Sequence, residues 1–214
     1  MIKAVLFDLD GTIANSLEDL ADSANFVLTQ NGYPTHKTEC FKMFVGDGIT
    51  KLIERVLPDI ARSAENIHKL KTQFLAYYSE HYCDKTKPYK NVPELLAQLK
   101  QKGIKIAVVT NKAQEMADAV VNKLYGKDFC AVYGQRDNMP TKPDPALAHL
   151  AMRELGVTPN ECIFVGDSGV DIKCAQNSGA YPVGVLWGFR NKEEIKAAGA
   201  KIVITQPAQL LELI

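Results

Sequence analysis

Six short apolar runs, rich in valine and isoleucine, constrain the fold of this chain more than any other feature. Most are bounded by glycine, aspartate or asparagine, and segments with helical periodicity separate them. Runs of this kind are typical of strands that are buried on both faces of a parallel sheet. The runs cover residues 2–7, 104–110, 129–134, 162–166, 182–187 and 201–205. The sequence therefore predicts an α/β fold with a doubly wound, mainly parallel, Rossmann-like sheet.

Residues 15–86 interrupt this pattern, because they carry helical periodicity and no convincing strand. The helices predicted there begin at Ser16, with Asp19 in the first turn, and cover residues 49–57 and 63–83. We therefore predict a catalytic core made of residues 1–14 and 87–214, with a small all-helical cap domain, residues 15–86, inserted after the first strand. The two connecting segments would lie side by side and form a hinge.

Helical patterns also fill the intervals between the later runs. Asn91 is expected to cap one of these helices, with Glu94 as its capping-box partner, and Pro145 to begin another. This regular alternation of helix and strand is what a doubly wound sheet requires.

Composition argues against several classes of function. Lys+Arg and Asp+Glu both total 25, so the net charge is zero and no basic stripe for nucleic acid appears. No stretch approaches the ~18 apolar residues of a transmembrane helix, and the N-terminal segment lacks the features of a signal peptide. The five cysteines form no CxxC pair, which predicts free thiols and a cytoplasmic protein. The protein is expected to be a monomer or a homodimer.

Polar side chains follow several of the predicted strands at the points where those strands end. In open α/β sheets, ligands bind beyond the carboxyl ends of the strands, so these side chains are expected to converge. The set consists of Asp8, Asp10, Thr110, Asn111, Asp167 and Asp171, together with Lys142 in a nearby loop.

This set of side chains suits metal-assisted phosphoryl transfer to or from a small phosphorylated metabolite. Crowded carboxylates repel each other unless a cation lies among them, and oxygen ligands favour Mg²⁺. The threonine, asparagine and lysine, with the N–H groups after Asp10, could hold the phosphate oxygens. A carboxylate can attack phosphorus, and a second acid two residues on, which shares its face of the strand, can move the proton.

Four motifs resemble the signatures of the haloacid dehalogenase-like superfamily. They are, in chain order, "FDLDGT" (7–12), "VVTN" (108–111), "KPDP" (142–145) and "VGDSGVD" (165–171). The resemblance implies a magnesium-dependent hydrolase in which Asp8 is the nucleophile and Asp10 is the general acid and base. It also implies that a helical cap closes over the substrate.

The same resemblance implies roles for the other residues of the set. Mg²⁺ would be bound by the Asp8 carboxylate, the Asp10 main-chain carbonyl and Asp167. Asp171 would support the waters of the metal or the lysine. The phosphate would be held by Gly11, Thr110, Asn111 and Lys142.

Three further segments are similar to phosphoglycolate phosphatases, which implies 2-phosphoglycolate as the substrate. These are "MFVGDGITKLIERVL" (43–57), "KPDPALAHLAMRELGV" (142–157) and "GVLWGFR" (184–190). Gly46, Asp47 and Gly48 are candidate substrate contacts, although a tight turn before a helix would also explain the glycines. A β-phosphoglucomutase-like phosphomutase or a pyrophosphatase is the alternative, but the arginine of the mutase branch is missing from "GDGITK".

Two other activities fit parts of the pattern. A signalling receiver domain also gathers acids, threonine and lysine at its strand ends, but it lacks a helical insert and is phosphorylated on a middle strand. Haloacid dehalogenation could use the same fold, but the acid and base expected at Asp10 suits phosphate esters better.

Overall fold

A computed structural model describes all residues of the chain, 1–214. Its strands are β1 (Ala4–Phe7), β2 (Ala14–Asn15), β3 (Lys87–Pro88), β4 (Lys105–Ala113), β5 (Ala131–Gln135), β6 (Cys162–Gly166), β7 (Tyr181–Val185) and β8 (Ile202–Ile204). Six of them form one sheet in the order β5-β4-β1-β6-β7-β8, and every neighbouring pair in it is parallel. The predicted Rossmann-like α/β fold is confirmed.

Nine α-helices surround or extend this sheet. They are α1 (Leu17–Gln30), α2 (Phe41–Phe44), α3 (Ile49–Val56), α4 (Ala64–His81), α5 (Val92–Gln101), α6 (Gln114–Tyr125), α7 (Ala146–Leu155), α8 (Gly169–Ser178) and α9 (Lys192–Ala197). None of these helices combines the length and the apolar character that crossing a membrane requires.

Alternate side chains of β1 anchor the two faces of the sheet. Val5 and Phe7 pack with residues of α5 and α6, whereas Ala4 and Leu6 pack with residues of α7 and α8. Successive side chains of a strand point to opposite faces, so a strand buried on both sides must be apolar throughout. The central strand can therefore present polar groups only where it ends.

The helices between β2 and β3 have a hydrophobic cluster of their own. Apolar residues of α1, α2, α3 and α4 meet there, with Leu70, Phe74 and Tyr78 as the buried stripe of α4. A cap with the bounds 15–86 stays a prediction. The segments that lead into and out of these helices pair with each other as the antiparallel strands β2 and β3.

Ser16 and Asn91 precede helices as predicted, but neither side chain makes a capping bond. Asn91 adopts a left-handed conformation with φ 64° and makes no capping bond from its side chain. Ser16 precedes α1 but also makes no capping bond, because its hydroxyl donates to the Asp10 carboxylate at 2.5 Å. Both residues mark helix starts correctly, and long-range packing decides what their side chains contact.

Candidate active site

The predicted catalytic residues meet at the carboxyl end of the central strand. β1 pairs with β4 and β6, in register at Phe7, Val108 and Val165. Because the three strands are parallel, the residues that follow these positions reach the same edge of the sheet. Asp8 therefore comes close to acids that lie more than 150 positions away in the sequence.

Three acids at this edge form a compact group. We call these acids and the neighbouring Lys142 the acid cluster. Asp8, Asp167 and Asp171 are buried, and each places a carboxylate oxygen within 4.8 Å of the others. Lys142 Nζ lies 2.7 Å from Asp8 Oδ1 and 2.6 Å from Asp171 Oδ1. The lysine is itself buried. The acid cluster thus holds three carboxyl groups against one ammonium.

Burial and this excess of acids raise two pKa values. Burial raises the pKa of Asp8 to about 7, with repulsion from Asp171 adding to the effect and Lys142 opposing it. Burial and repulsion from the other two acids raise the pKa of Asp167 to about 8. Burial acts to lower the pKa of Lys142, but Asp171 and Asp8 outweigh it and raise that pKa.

Asp167 is fixed by the segment that follows β7. The Phe189 N–H donates to Asp167 Oδ2 at 2.7 Å, and Thr12 Oγ1 donates to Oδ1 at 3.1 Å. A Cβ atom on Gly188 would overlap the Gly11 carbonyl oxygen and the Asp167 side chain. Only glycine lets this segment approach the acid cluster so closely.

Asp171 is fixed by the start of α8. The Ser168 N–H and hydroxyl donate to Asp171 Oδ2 at 3.0 and 2.6 Å, in a reciprocal capping box. Its other oxygen binds Lys142. Asp171 therefore holds the lysine in place beside Asp8.

The acid cluster fits a divalent metal ion. Carboxylate oxygens are the ligands that hard cations prefer, and three of them lie within reach of one ion. A further positive charge would offset the burial and repulsion that raise the pKa of Asp8 and Asp167. The donor set fits the divalent metal ion expected from the sequence.

Asp8 keeps one carboxylate oxygen free. Lys142 donates to Oδ1, and no group of the protein donates to Oδ2. The one fully buried polar side-chain atom without a partner is Arg190 Nη1, so Asp8 Oδ2 is not sealed inside the protein. It faces the cleft that Asp8 and Asp10 line.

Gly11 does not play its expected part. Its N–H donates to the Ala14 carbonyl at 2.9 Å, because residues 9–14 form a tight turn that uses this amide internally. By contrast, the N–H groups of Leu9 and Asp10 donate to no backbone carbonyl. Those two amides, rather than that of Gly11, are available beside Asp8.

The two phosphate ligands expected on β4 differ in whether their side chains still have a free hydrogen-bond donor. Thr110 lines the cleft, and its hydroxyl oxygen only accepts a bond from the Lys112 N–H at 3.2 Å, so its proton stays free. The Asn111 side chain is fully used: it donates to the Gly46 and Lys142 carbonyls and accepts from the Lys142 N–H. Asn111 is a positioning residue rather than a free phosphate ligand.

The loop before α3 forms the opposite wall of the cleft. Gly46 and Gly48 line it, both with positive φ (123° and 85°), alongside Val45 and Ile49. Asp47 does not line the cleft, because its carboxylate pairs with Arg55 of α3. The expectation that Asp47 contacts substrate is therefore not supported by its placement.

A second buried charged group lies beside the acid cluster and was not predicted from the sequence. It consists of one lysine and one tyrosine, Lys112 and Tyr78, which we call the lysine pair. Lys112 Nζ lies 3.1 Å from both Asp10 carboxylate oxygens and 2.7 Å from the Tyr78 hydroxyl of α4. Ser16 donates to Asp10 as well. The lysine pair, Lys112 and Tyr78, therefore links the helical segment to the second acid of the first motif.

The sequence carries a faint signal for the lysine pair. Lys112 directly follows the second motif, so the sequence places a charged residue just after the end of a buried strand. Tyr78 continues the buried stripe of α4 at a spacing of four residues. Nothing in the sequence says that these two residues meet.

Fold and site together define a Rossmann-like α/β protein with a clustered aspartate centre. Residues 5–185 match the family model of the haloacid dehalogenase-like hydrolases. The chain belongs to this family.

Three relatives show which members of this family the chain resembles. The chain is 32% identical to the phosphoglycolate phosphatase of Pectobacterium atrosepticum, over 100% of the chain and 92% of that protein. It is 36% identical to the phosphoglycolate phosphatase of Neisseria meningitidis, over 88% of the chain and 82% of the relative. The crystal structure of a predicted phosphoglycolate phosphatase from Haemophilus somnus superposes with a TM-score of 0.91 at 30% identity, over 99% of this chain and 97% of that one. The chain is thus a phosphoglycolate phosphatase-like hydrolase.

Proposed function

We propose that this protein is a Mg²⁺-dependent phosphatase that hydrolyses a small phosphate monoester through an aspartyl-phosphate on Asp8. The observation that carries the proposal is the state of Asp8: one oxygen is held by Lys142, and the other is open to the cleft. A carboxylate fixed in this way can attack phosphorus, and water then cleaves the acyl phosphate. Its neighbours supply what such an attack needs.

Phosphate binding is assigned to free donors around Asp8. The Leu9 and Asp10 amides and the Thr110 hydroxyl are the free donors that can receive phosphate oxygens. Donors fixed before the reaction stabilise charge in the transition state without reorganising. The three protons of the Lys142 ammonium are directed at Asp8, Asp171 and the Val109 carbonyl, so this lysine would reach a phosphate oxygen only by giving up one of these bonds.

Proton transfer is assigned to Asp10. It lines the same cleft as Asp8 and lies two residues away on the turn that leaves β1. A carboxyl group there can protonate the leaving oxygen, and afterwards it can take a proton from the attacking water. Asp167 and the Asp8 carboxylate, with the Asp10 main-chain carbonyl, would hold Mg²⁺, which when bound would supply the charge that neutralises the phosphate.

The best-supported substrate is 2-phosphoglycolate. Phosphoglycolate phosphatases cover nearly the whole chain at about one-third identity. Gly48 and Ile49 bring the start of α3 to the cleft, and free N–H groups at a helix start favour a second negative group such as a carboxylate. Leu20 and Leu52 make the cleft wall apolar and leave room for a small organic part. Residues 15–86 would act as a lid over this substrate.

Phosphate release from a substrate panel tests the proposal. The panel contains 2-phosphoglycolate, β-glucose 1-phosphate, nucleotides and pyrophosphate, each with Mg²⁺ and with chelator. We expect the highest kcat/KM for 2-phosphoglycolate and no turnover with chelator. Preference for pyrophosphate, or isomerisation of the sugar phosphate without net release, would favour the pyrophosphatase or phosphomutase alternative. Absence of any phosphate release would refute the proposed function.

A further inference from the structure

One buried cation beside the reacting groups has no part in the mechanism proposed above. Lys112 is 6% exposed, and Tyr78 of α4, which contacts it, is fully buried. We propose that the lysine pair positions Asp10 for proton transfer to the leaving-group oxygen. This inference rests on the proposed function, because Asp10 must act as its general acid.

The contacts of Lys112 leave it little else to do. Its ammonium has three protons, and it lies within hydrogen-bond distance of three oxygens: both oxygens of Asp10 and the hydroxyl of Tyr78. No proton remains for a substrate oxygen. Asp10 is the only carboxyl group that contacts this buried ammonium. Lys112 therefore acts on the reaction only through Asp10.

Tyr78 fixes the lysine from the side of the helices. Its ring stacks on Phe74 with centroids 5.3 Å apart, within the hydrophobic cluster of α1 to α4. The same ring lies 4.8 Å from Lys112 Nζ. A rigid aromatic side chain thus sets where the ammonium lies, and the ammonium sets where the Asp10 carboxylate lies.

Asp10 needs such support because it sits on a turn. Its side chain is 13% exposed, and the strand before it has already ended. Ser16 and Lys112 hold it from two different segments of the chain.

The step that depends on this orientation is the cleavage of the ester bond. Asp8 Oδ2 forms a bond to phosphorus while the bond from phosphorus to the ester oxygen breaks. The electron pair of that bond goes to the ester oxygen, which takes the proton of Asp10. An alkoxide needs this proton, whereas p-nitrophenolate is stable without it. Good positioning of Asp10 therefore matters more for alkyl esters than for aryl esters.

The test compares kcat/KM for an alkyl phosphate and for p-nitrophenyl phosphate. The alkyl substrate is 2-phosphoglycolate, or else the best alkyl phosphate of the panel. We expect Lys112→Met to lose at least about 10-fold more on the alkyl ester than on the aryl ester, since general acids contribute about 10² to 10⁴. Tyr78→Phe should shift the ratio in the same direction but less, and KM should change little.

Matched variants serve as controls. Lys123→Met removes an exposed lysine of α6, and Tyr77→Phe removes the hydroxyl next to Tyr78 along α4. Both should keep the wild-type ratio. If Lys112→Met does not fold, Tyr78→Phe decides, because it removes a single oxygen atom.

Two failures can be told apart. If the wild-type protein hydrolyses phosphate esters but both variants lose activity equally on alkyl and aryl esters, the positioning role is overturned and the proposed function stands. If the wild-type protein hydrolyses no phosphate ester, the proposed function is overturned and the positioning role with it.

Discussion

Two buried lysines lie next to the first motif, and they face different numbers of acids. Lys142 contacts the acids Asp8 and Asp171, with Asp167 close by, whereas the one acid that Lys112 contacts is Asp10. In the acid cluster, burial and repulsion raise the pKa of two carboxyl groups to about 7 and about 8. By contrast, the ammonium of the lysine pair contacts one carboxyl group, that of Asp10.

This difference separates a reacting centre from a supporting one. A balanced buried pair can stay as it is, because each charge compensates the other. A cluster with more carboxyl groups than ammonium groups is stabilised by additional positive charge, which a metal ion can supply when it binds. We infer that the acid cluster does the chemistry on phosphorus and that the lysine pair holds the proton donor.

Asp8→Asn should have the largest effect. It removes the proposed nucleophile, so we expect turnover to fall by at least about 10³-fold. Stability should be kept or raised, because one of three repelling acids is neutralised. Steady-state phosphate release and thermal denaturation measure the two effects. Asp59→Asn, at an acid whose side chain is 89% exposed, is the control and should leave both unchanged. Substantial turnover in Asp8→Asn would disprove the role of Asp8.

Lys142→Met should break the acid cluster in a different way. It leaves three acids without their cation, so we expect a loss of about 3 kcal/mol in stability and at least about 10²-fold in turnover. Saturating Mg²⁺ should restore part of the stability but not the turnover. Lys173→Met, at an exposed lysine of α8, is the matched control. An undiminished stability without metal would show that the three acids do not repel each other.

The pH dependence of stability should distinguish the metal-free protein from the loaded one. Asp8 and Asp167 have folded-state pKa values of about 7 and about 8, above the ordinary value of 3.8. The folded protein binds these protons more tightly than the unfolded chain does. The stabilisation that results is fully present below about pH 4 and is lost as the pH rises through about 7 and 8. The Tm of chelator-treated protein should therefore fall between about pH 5 and about pH 8.5.

Mg²⁺ should remove most of that fall, because it takes the place of the protons. Thermal denaturation in matched buffers, with chelator and with Mg²⁺, measures both slopes. Asp167→Asn should flatten the slope of the metal-free protein. Equal slopes with and without Mg²⁺ would contradict the idea that the acid cluster binds the ion.

Asp47→Asn should have the smallest effect. The carboxylate of Asp47 pairs with Arg55 and does not line the cleft. We expect kcat/KM to stay within about threefold of the wild-type value, as for surface changes away from a site. A steady-state assay with the best substrate of the panel measures it. A rise in KM of more than about tenfold would restore Asp47 as a substrate contact.

The sheet and the acids were predictable from the sequence because their signals are local. Strands buried on both faces appear as apolar runs, and the run at 162–166 coincides with β6. Asp8 and Asp167 directly follow such runs, so their meeting follows from parallel topology alone. The family motifs then named the residues around them.

The remaining contacts were not predictable because they join distant residues through particular side chains. Asn111 binds Gly46 across 65 positions, and Lys112 binds Tyr78 across 34. No periodicity records such pairs. The use of the Gly11 amide inside its own turn is local, but it depends on the backbone path of residues 9–14 and not on residue type.

The most direct test of the account is to count the protons that the protein releases when it binds Mg²⁺. Titration calorimetry at about pH 7, in buffers with different ionisation enthalpies, gives this number. With pKa values of about 7 and about 8, the Asp8 and Asp167 carboxyl groups are partly protonated at that pH and must lose these protons to bind the metal, so we predict the release of roughly one to two protons. Lys112→Met should release the same number, whereas Asp167→Asn should release fewer. Binding of Mg²⁺ without proton release, or no binding at all, would contradict the assignment of the acid cluster as the metal centre.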